Sequence, residues 1–144
     1  MNDPYRRSNK DRKWRERQAQ GETEMEKPHK KLDVWQAAMR IAKVVYQLTG
    51  IFPSEEKFGL AVQMRRAAIS IPCNIAEGAA RQGKREFRNF LSIAQGSLSE
   101  LDTQLDLAIE LGFLGSEKLT ELSALLLRTD KMLTALIRSL SGKK

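Results

Sequence analysis

From Met64 to Leu105 the apolar residues recur at alternating steps of three and four, as Met64, Ala68, Ile71 and Ile75 and then as Phe87, Leu91, Ala94, Leu98, Leu101 and Leu105. That spacing lines one side of an α-helix, whereas a half-buried strand needs alternation at every second residue. No segment alternates convincingly with period two, so strands are not expected. Long helices with a narrow apolar seam bury it against one another, which makes a packed helical bundle the fold to expect.

Punctuation residues divide the rest of the chain into further helices. One is expected from Asp33, a suitable N-cap, with Trp35, Met39, Ala42, Val45, Tyr46 and Thr49 on one side and Gln36, Arg40, Lys43 and Gln47 on the other. Gly50 and Pro53 end it. A second helix is expected from about Ser54, with Glu55 and Glu56 in its first turn, to about Ala80. The third spans roughly residues 84–111 and stops at Gly112. Ser116 is expected to cap a fourth that carries Leu119, Leu122, Leu126, Leu133, Leu136 and Leu140. Four helices with short links imply an all-α, antiparallel up-down-up-down four-helix bundle over residues 31–144. Pro72, inside the second helix, removes a main-chain hydrogen bond and predicts a kink there, with Ser70 or Asn74 available to satisfy the freed carbonyl.

Residues 1–30 show no apolar period around their lone Trp14 and are expected to form a disordered, charged, basic leader, because they cannot bury enough surface to offset their ordering entropy. Met25 is an alternative start of the natural chain.

The 144 residues hold 25 Lys and Arg against 18 Asp and Glu, a net charge of +7. Such a balance admits nucleic acid or an anionic membrane as partner without establishing either. Cys73 has no second cysteine to pair with, and His29 stands alone in the polar leader, so zinc sites and Cys/His catalysis lack their parts. The N-terminus is too charged for a signal peptide and no apolar run reaches the roughly 18 residues of a membrane span. A cytoplasmic location is the expectation.

Up-down order brings the start of the first helix, the end of the second, the start of the third and the end of the fourth to one pole. Lys30, Lys31, Arg81, Lys84, Arg85, Arg88, Arg138, Lys143 and Lys144 then face only Asp33, Glu77 and Glu86. The other pole collects Glu55, Glu56, Asp106, Glu110, Glu117 and Glu121 against Lys57 and Lys118. Cations at the start of the third helix oppose the helix macrodipole, so they suit an anionic partner better than helix stability. Phosphate binding is the expected use, unless the cations are simply solvated.

The third helix also carries the small residues Ser92, Gly96, Ser99 and Thr103, and a mid-helix glycine implies a close helix contact to offset its cost of roughly 1 kcal/mol. Further apolar residues off the seams, Phe90, Ile93, Leu107 and Ile109 with Ala124, Leu127 and Ile137, imply self-association. Asp102, Asp106 and Glu110 form a carboxylate ladder, but a di-iron bundle site also needs Glu-x-x-His motifs and the bundle has no histidine. Salt bridges to a neighbouring helix or subunit are the expected role, as for the Glu77–Arg81 pair. No nucleophile with a positioned base and no phosphate-binding glycine loop can be assembled, so neither an enzyme nor a cofactor is expected.

The segments LDVWQAAMRIAKVVYQLT (residues 32–49), FGLAVQMRRAAISIPCNIAEG (58–78) and FRNFLSIAQGSLSELDTQLDLAIELGFL (87–114) together resemble the four-helix-bundle proteins encoded in intervening sequences of bacterial 23S ribosomal RNA genes. The RRAAISIPCNIAEG run, the KREFRNFL start of the third helix and the GSLSELDTQL stripe are the most specific parts. The resemblance implies a bundle assembling into a ring, a homopentamer, without known catalytic activity. It also implies likeness in fold to the accessory variability protein of diversity-generating retroelements, a basic oligomer that binds nucleic acid and a reverse transcriptase. By that analogy Arg65, Arg66, Arg81, Lys84, Arg85 and Arg88 are the candidate RNA contacts. A protein-interaction scaffold is the alternative.

Overall fold

The computed structural model describes residues 27–142, the side chain of Lys118 excepted. Among them four α-helices occur and no strand: α1 (Asp33–Thr49), α2 (Leu60–Ala80), α3 (Lys84–Glu110) and α4 (Thr120–Leu140). Short 3-10 turns, Pro28–Lys31, Ser54–Glu56 and Ser116–Leu119, precede α1, α2 and α4. Most of the segment read as a disordered leader lies outside the described residues. Its last part is ordered, since Pro28–Lys31 forms a turn in which the Gln36 amide donates to the Lys30 carbonyl and His29 meets the Trp35 ring edge-on at 5.0 Å.

Side-chain contacts give the helix order. The Arg65 guanidinium, early in α2, reaches Thr49 at the end of α1. Ser70 of α2 bonds Ser97 of α3 at 2.8 Å, while Gly78 of α2 touches Phe87 and Phe90 near the start of α3. The Gln95 amide of α3 donates to Asp130 and Thr134 of α4, at 3.0 and 2.8 Å. Between α2 and α3 the partner number falls as the other rises, so these two helices run antiparallel, and packing of α4 on α1 closes the bundle.

The seams of α2 and α3 are buried as their spacing requires: Met64, Ala68, Ile71, Ile75, Leu91, Ala94 and Leu101 are inaccessible to solvent. On α1 the expected face is rotated. Val34, Ala37, Ala38, Ile41, Val45 and Thr49 are buried, while Met39 and Tyr46 are exposed. The small alanines let α1 approach its neighbours closely, and the larger Trp35 and Met39 lie instead along an outer groove between α1 and α2. Thr129 is fully buried in α4, where its hydroxyl donates to the Leu125 carbonyl.

Three helix starts differ from expectation. Asp33 is the first residue of α1 rather than its cap, Ser54 opens a 3-10 turn, and Ser116 makes no capping hydrogen bond. The cap of α2 comes from Glu56, whose carboxylate accepts from the Leu60 main-chain N–H at 3.0 Å. The Gly112 stop holds: its φ of 77° permits the left-handed turn, and bonds from Gly112 to the Ile109 carbonyl and from Phe113 to the Ala108 carbonyl close a Schellman motif. Phe113 then packs on Phe52, with ring centroids 5.6 Å apart.

Around Pro72 the helical assignment is unbroken and the ring is buried. The Asn74 amide donates to the Ser70 carbonyl at 2.8 Å and to its hydroxyl at 2.9 Å, rather than to the Ala68 carbonyl four residues before the proline.

A candidate nucleic-acid interface at the basic end of the bundle

The link between α2 and α3 builds the site. Gly78 allows α3 to start hard against the end of α2, because a Cβ there would lie 2.8 Å from atoms of Phe87 and Phe90. Gly83 is the N-cap residue of α3 and supplies no side-chain cap, so the first turn offers free N–H groups and the positive end of the macrodipole to solvent. Lys84 and Arg85 extend from that turn and Arg88 from the next. Lys84 and Arg85 are exposed, Arg88 is half-buried, and no carboxylate pairs with any of the three among the described residues. The Arg88 Nε is buried without an acceptor, an arrangement that costs about 1–3 kcal/mol for an ordinary donor.

Arg81 differs in kind. Its guanidinium bonds the Glu77 carboxylate at 2.7 Å, approaches Glu86 at 4.0 Å, and lies 5.2 Å from the centre of the Phe90 ring. Its charge is offset by its own neighbours, as the four-residue spacing from Glu77 foretold.

The six cations named from resemblance do not form one surface. Arg65 and Arg81 are 16 residues apart on the helical path, which at 1.5 Å per residue separates them by about 24 Å. Arg65 is committed to the far end of the bundle: its Nε donates to the Thr49 hydroxyl at 2.7 Å, its Nη2 to the Tyr46 carbonyl at 3.3 Å, and its head group stacks on the Tyr46 ring at 4.5 Å. It satisfies the last turn of α1, where free carbonyls favour a cation. Arg66 is exposed beside it. Sequence reasoning missed this because nothing in a linear pattern tells which arginine finds a helix end.

At the basic end the described cations are Lys30, Lys31, Arg81, Lys84, Arg85, Arg88 and Arg138, against Asp33, Glu77 and Glu86. Lys143 and Lys144 lie outside the described residues. Among the described residues no cluster of His, Cys, Asp and Glu is arranged to hold a metal, and no helix is long and apolar enough to cross a membrane. Cys73 is exposed.

The fold and this end together define a class: a small all-α bundle of four helices with an uncapped, cation-rich helix start. The chain belongs to the 23S rRNA-intervening sequence protein family, whose model matches residues 30–135. Among solved structures it is similar to a protein with unknown function from the S23 ribosomal protein family from Bacteroides thetaiotaomicron. The two are 25% identical, with a TM-score of 0.68 over 73% of this chain and 95% of that one. No curated protein matches the chain.

Proposed function

We propose that this protein is a non-enzymatic, self-associating bundle of the cytoplasm that binds the phosphate backbone of structured RNA through the start of α3. One observation carries the reading: Lys84, Arg85 and Arg88 stand unpaired at a helix start that has no side-chain cap. Cations there repel the macrodipole, so their placement works against the helix and in favour of an anion. Free N–H groups and three basic residues within the first two turns suit phosphate oxygens, and such contacts bind by shape and charge with no need of base readout. The cations of residues 6–17, in the segment before the bundle, add to the same attraction.

The test is retention of ribosomal RNA by the full chain. Replacing Lys84, Arg85 and Arg88 together with Gln is expected to abolish retention at 150 mM salt, leaving the helical circular dichroism intact. It should also lower the slope of log affinity against log salt by about 2, since each phosphate contact contributes roughly 0.7 on single strands. Unchanged retention and slope overturn the reading.

A second reading, a scaffold for a protein partner, is favoured by the outer groove between α1 and α2. This groove of about 380 Å³ is lined by His29, Trp35, Met39, Ala42, Ile69 and Pro72 among others and includes no charged side chain. A partner retained after nuclease treatment, with little dependence on salt, would favour it over the first.

A further inference from the structure

On α3 the surface around Gly96 is open. Ser92, Gly96, Ser99 and Thr103 are exposed, and a Cβ on Gly96 would meet nothing within 4 Å. The close contact that this mid-helix glycine implies is therefore not made inside the bundle. Asp102, Asp106 and Glu110 run alongside, exposed and without an ion-pair partner among the described residues. A cavity of different character lies at the end of the bundle away from Lys84, where α1 stops and α2 starts.

This cavity measures about 300 Å³. Phe52, Pro53 and Ala61 give it an apolar wall, Ser54 a hydroxyl, and Lys57 and Arg65 its charge, while no carboxylate lines it. The wall is fixed, since Phe52 packs on Phe113 and Ala61 is buried. The Arg65 head group is fixed as well, by its bonds to the Thr49 hydroxyl and the Tyr46 carbonyl and by the Tyr46 ring. Those bonds use two of the five N–H groups of a guanidinium, and the rest have no acceptor among the described residues. Lys57 is exposed and pairs with no carboxylate there; its amine lies 5.7 Å from the centre of the Phe58 ring. The end of α1 accounts for Arg65 in part, but not for Lys57 or for the space between them.

We propose that this cavity binds a small organic monocarboxylate with a compact apolar body, such as an arylacetic acid. The remaining N–H groups of Arg65 take the carboxylate, Lys57 adds a second cation, and the hydrocarbon packs on Phe52, Pro53 and Ala61. Charge decides among the anions. Arg65 already offsets the end of α1, and Glu55 and Glu56 flank the lining residues Ser54 and Lys57 in the chain. One negative charge is therefore matched, and the second charge of a phosphate ester is not. Inorganic phosphate would also leave the apolar wall uncovered. The volume is at the low end of the roughly 300–1,000 Å³ of ligand pockets, which restricts the acid to a small one. The site lies at the opposite end of the bundle from the start of α3 and does not rest on the RNA reading.

Calorimetric titration of the full chain with phenylacetate, phenylacetamide and inorganic phosphate tests it. Phenylacetate is expected to bind saturably, one molecule per chain, at millimolar concentration or below. Phenylacetamide keeps the shape without the charge and should bind about 10–100-fold more weakly, the worth of a charge-assisted hydrogen bond. Lys57→Gln, at an exposed position, should weaken phenylacetate by about 2–5-fold. In amide NMR spectra phenylacetate should shift Phe52, Ser54 and Lys57 and leave Lys84 and Arg85 unmoved. Equal affinity for phenylacetate and its amide, or binding of neither, overturns the site. Phosphate held more tightly than phenylacetate overturns the carboxylate class, and an unchanged affinity in Lys57→Gln overturns the role given to Lys57. Shifts confined to residues outside the cavity overturn its location. None of these outcomes bears on RNA retention.

Discussion

The two ends of α3 carry opposite charges, and each is the wrong sign for its position. At the start Lys84 and Arg85, with Arg88 in the next turn, outnumber Glu86 where the macrodipole is positive; toward the finish Asp106 and Glu110 sit where it is negative, with no basic residue in the last turn. Each misplaced charge costs about 0.3–1 kcal/mol when exposed. The backbone is treated differently at the two ends. Gly112 closes the C-terminus with a complete Schellman motif, whereas the N-terminus has no side-chain cap. A helix of 27 residues with both ends charged against its own field is held by packing, so those charges are available for partners outside the bundle.

The strongest way to break this comparison is to strike the seam between the ends. Leu101→Ala, at a fully buried position, is expected to cost about 2–5 kcal/mol, read as a lower urea midpoint with little change in slope. A cost below that of the end charges would mean that packing does not hold α3. At the basic end, Gly78→Ala forces a methyl against Phe87 and Phe90 and should cost about 1–3 kcal/mol, with thermal unfolding as the check. A neutral result would show that α3 can shift away and that its start is not fixed in place. The smallest effects are the most diagnostic. Lys84→Glu and Glu110→Lys each bring one end into agreement with the dipole and should raise monomer stability by about 0.3–1 kcal/mol. Loss of stability in either would mean that the native charge is paired within the fold.

How far the sequence could be read follows from what each pattern depends on. The seams of α2 and α3 were legible because burial there follows helical period alone, and Gly112 because the left-handed turn selects glycine. The buried face of α1 was misjudged. Its aromatic and long apolar residues outweigh its alanines by size, yet close packing buries Ala37, Ala38 and Ile41. Helix starts were misplaced by up to six residues at α2, since Ser54 carries a capping side chain and the turn that follows it defers the helix to Leu60. For the candidate site, the cluster of Lys84, Arg85 and Arg88 was visible as a run of charge. The Glu77–Arg81 pair was legible too, from its four-residue spacing, whereas the approach of Arg81 to Glu86 and the use of Arg65 to finish α1 were not.

The chain by itself determined that it would form helices, where their seams lie, and that cations collect at the start of α3, because periodicity and charge order are properties of neighbours along the sequence. The tertiary structure decided which cations remain free, which face of α1 goes inside, and that the stripe around Gly96 looks outward. Those outcomes depend on distances between helices, which are set by the combined packing of side chains remote in sequence.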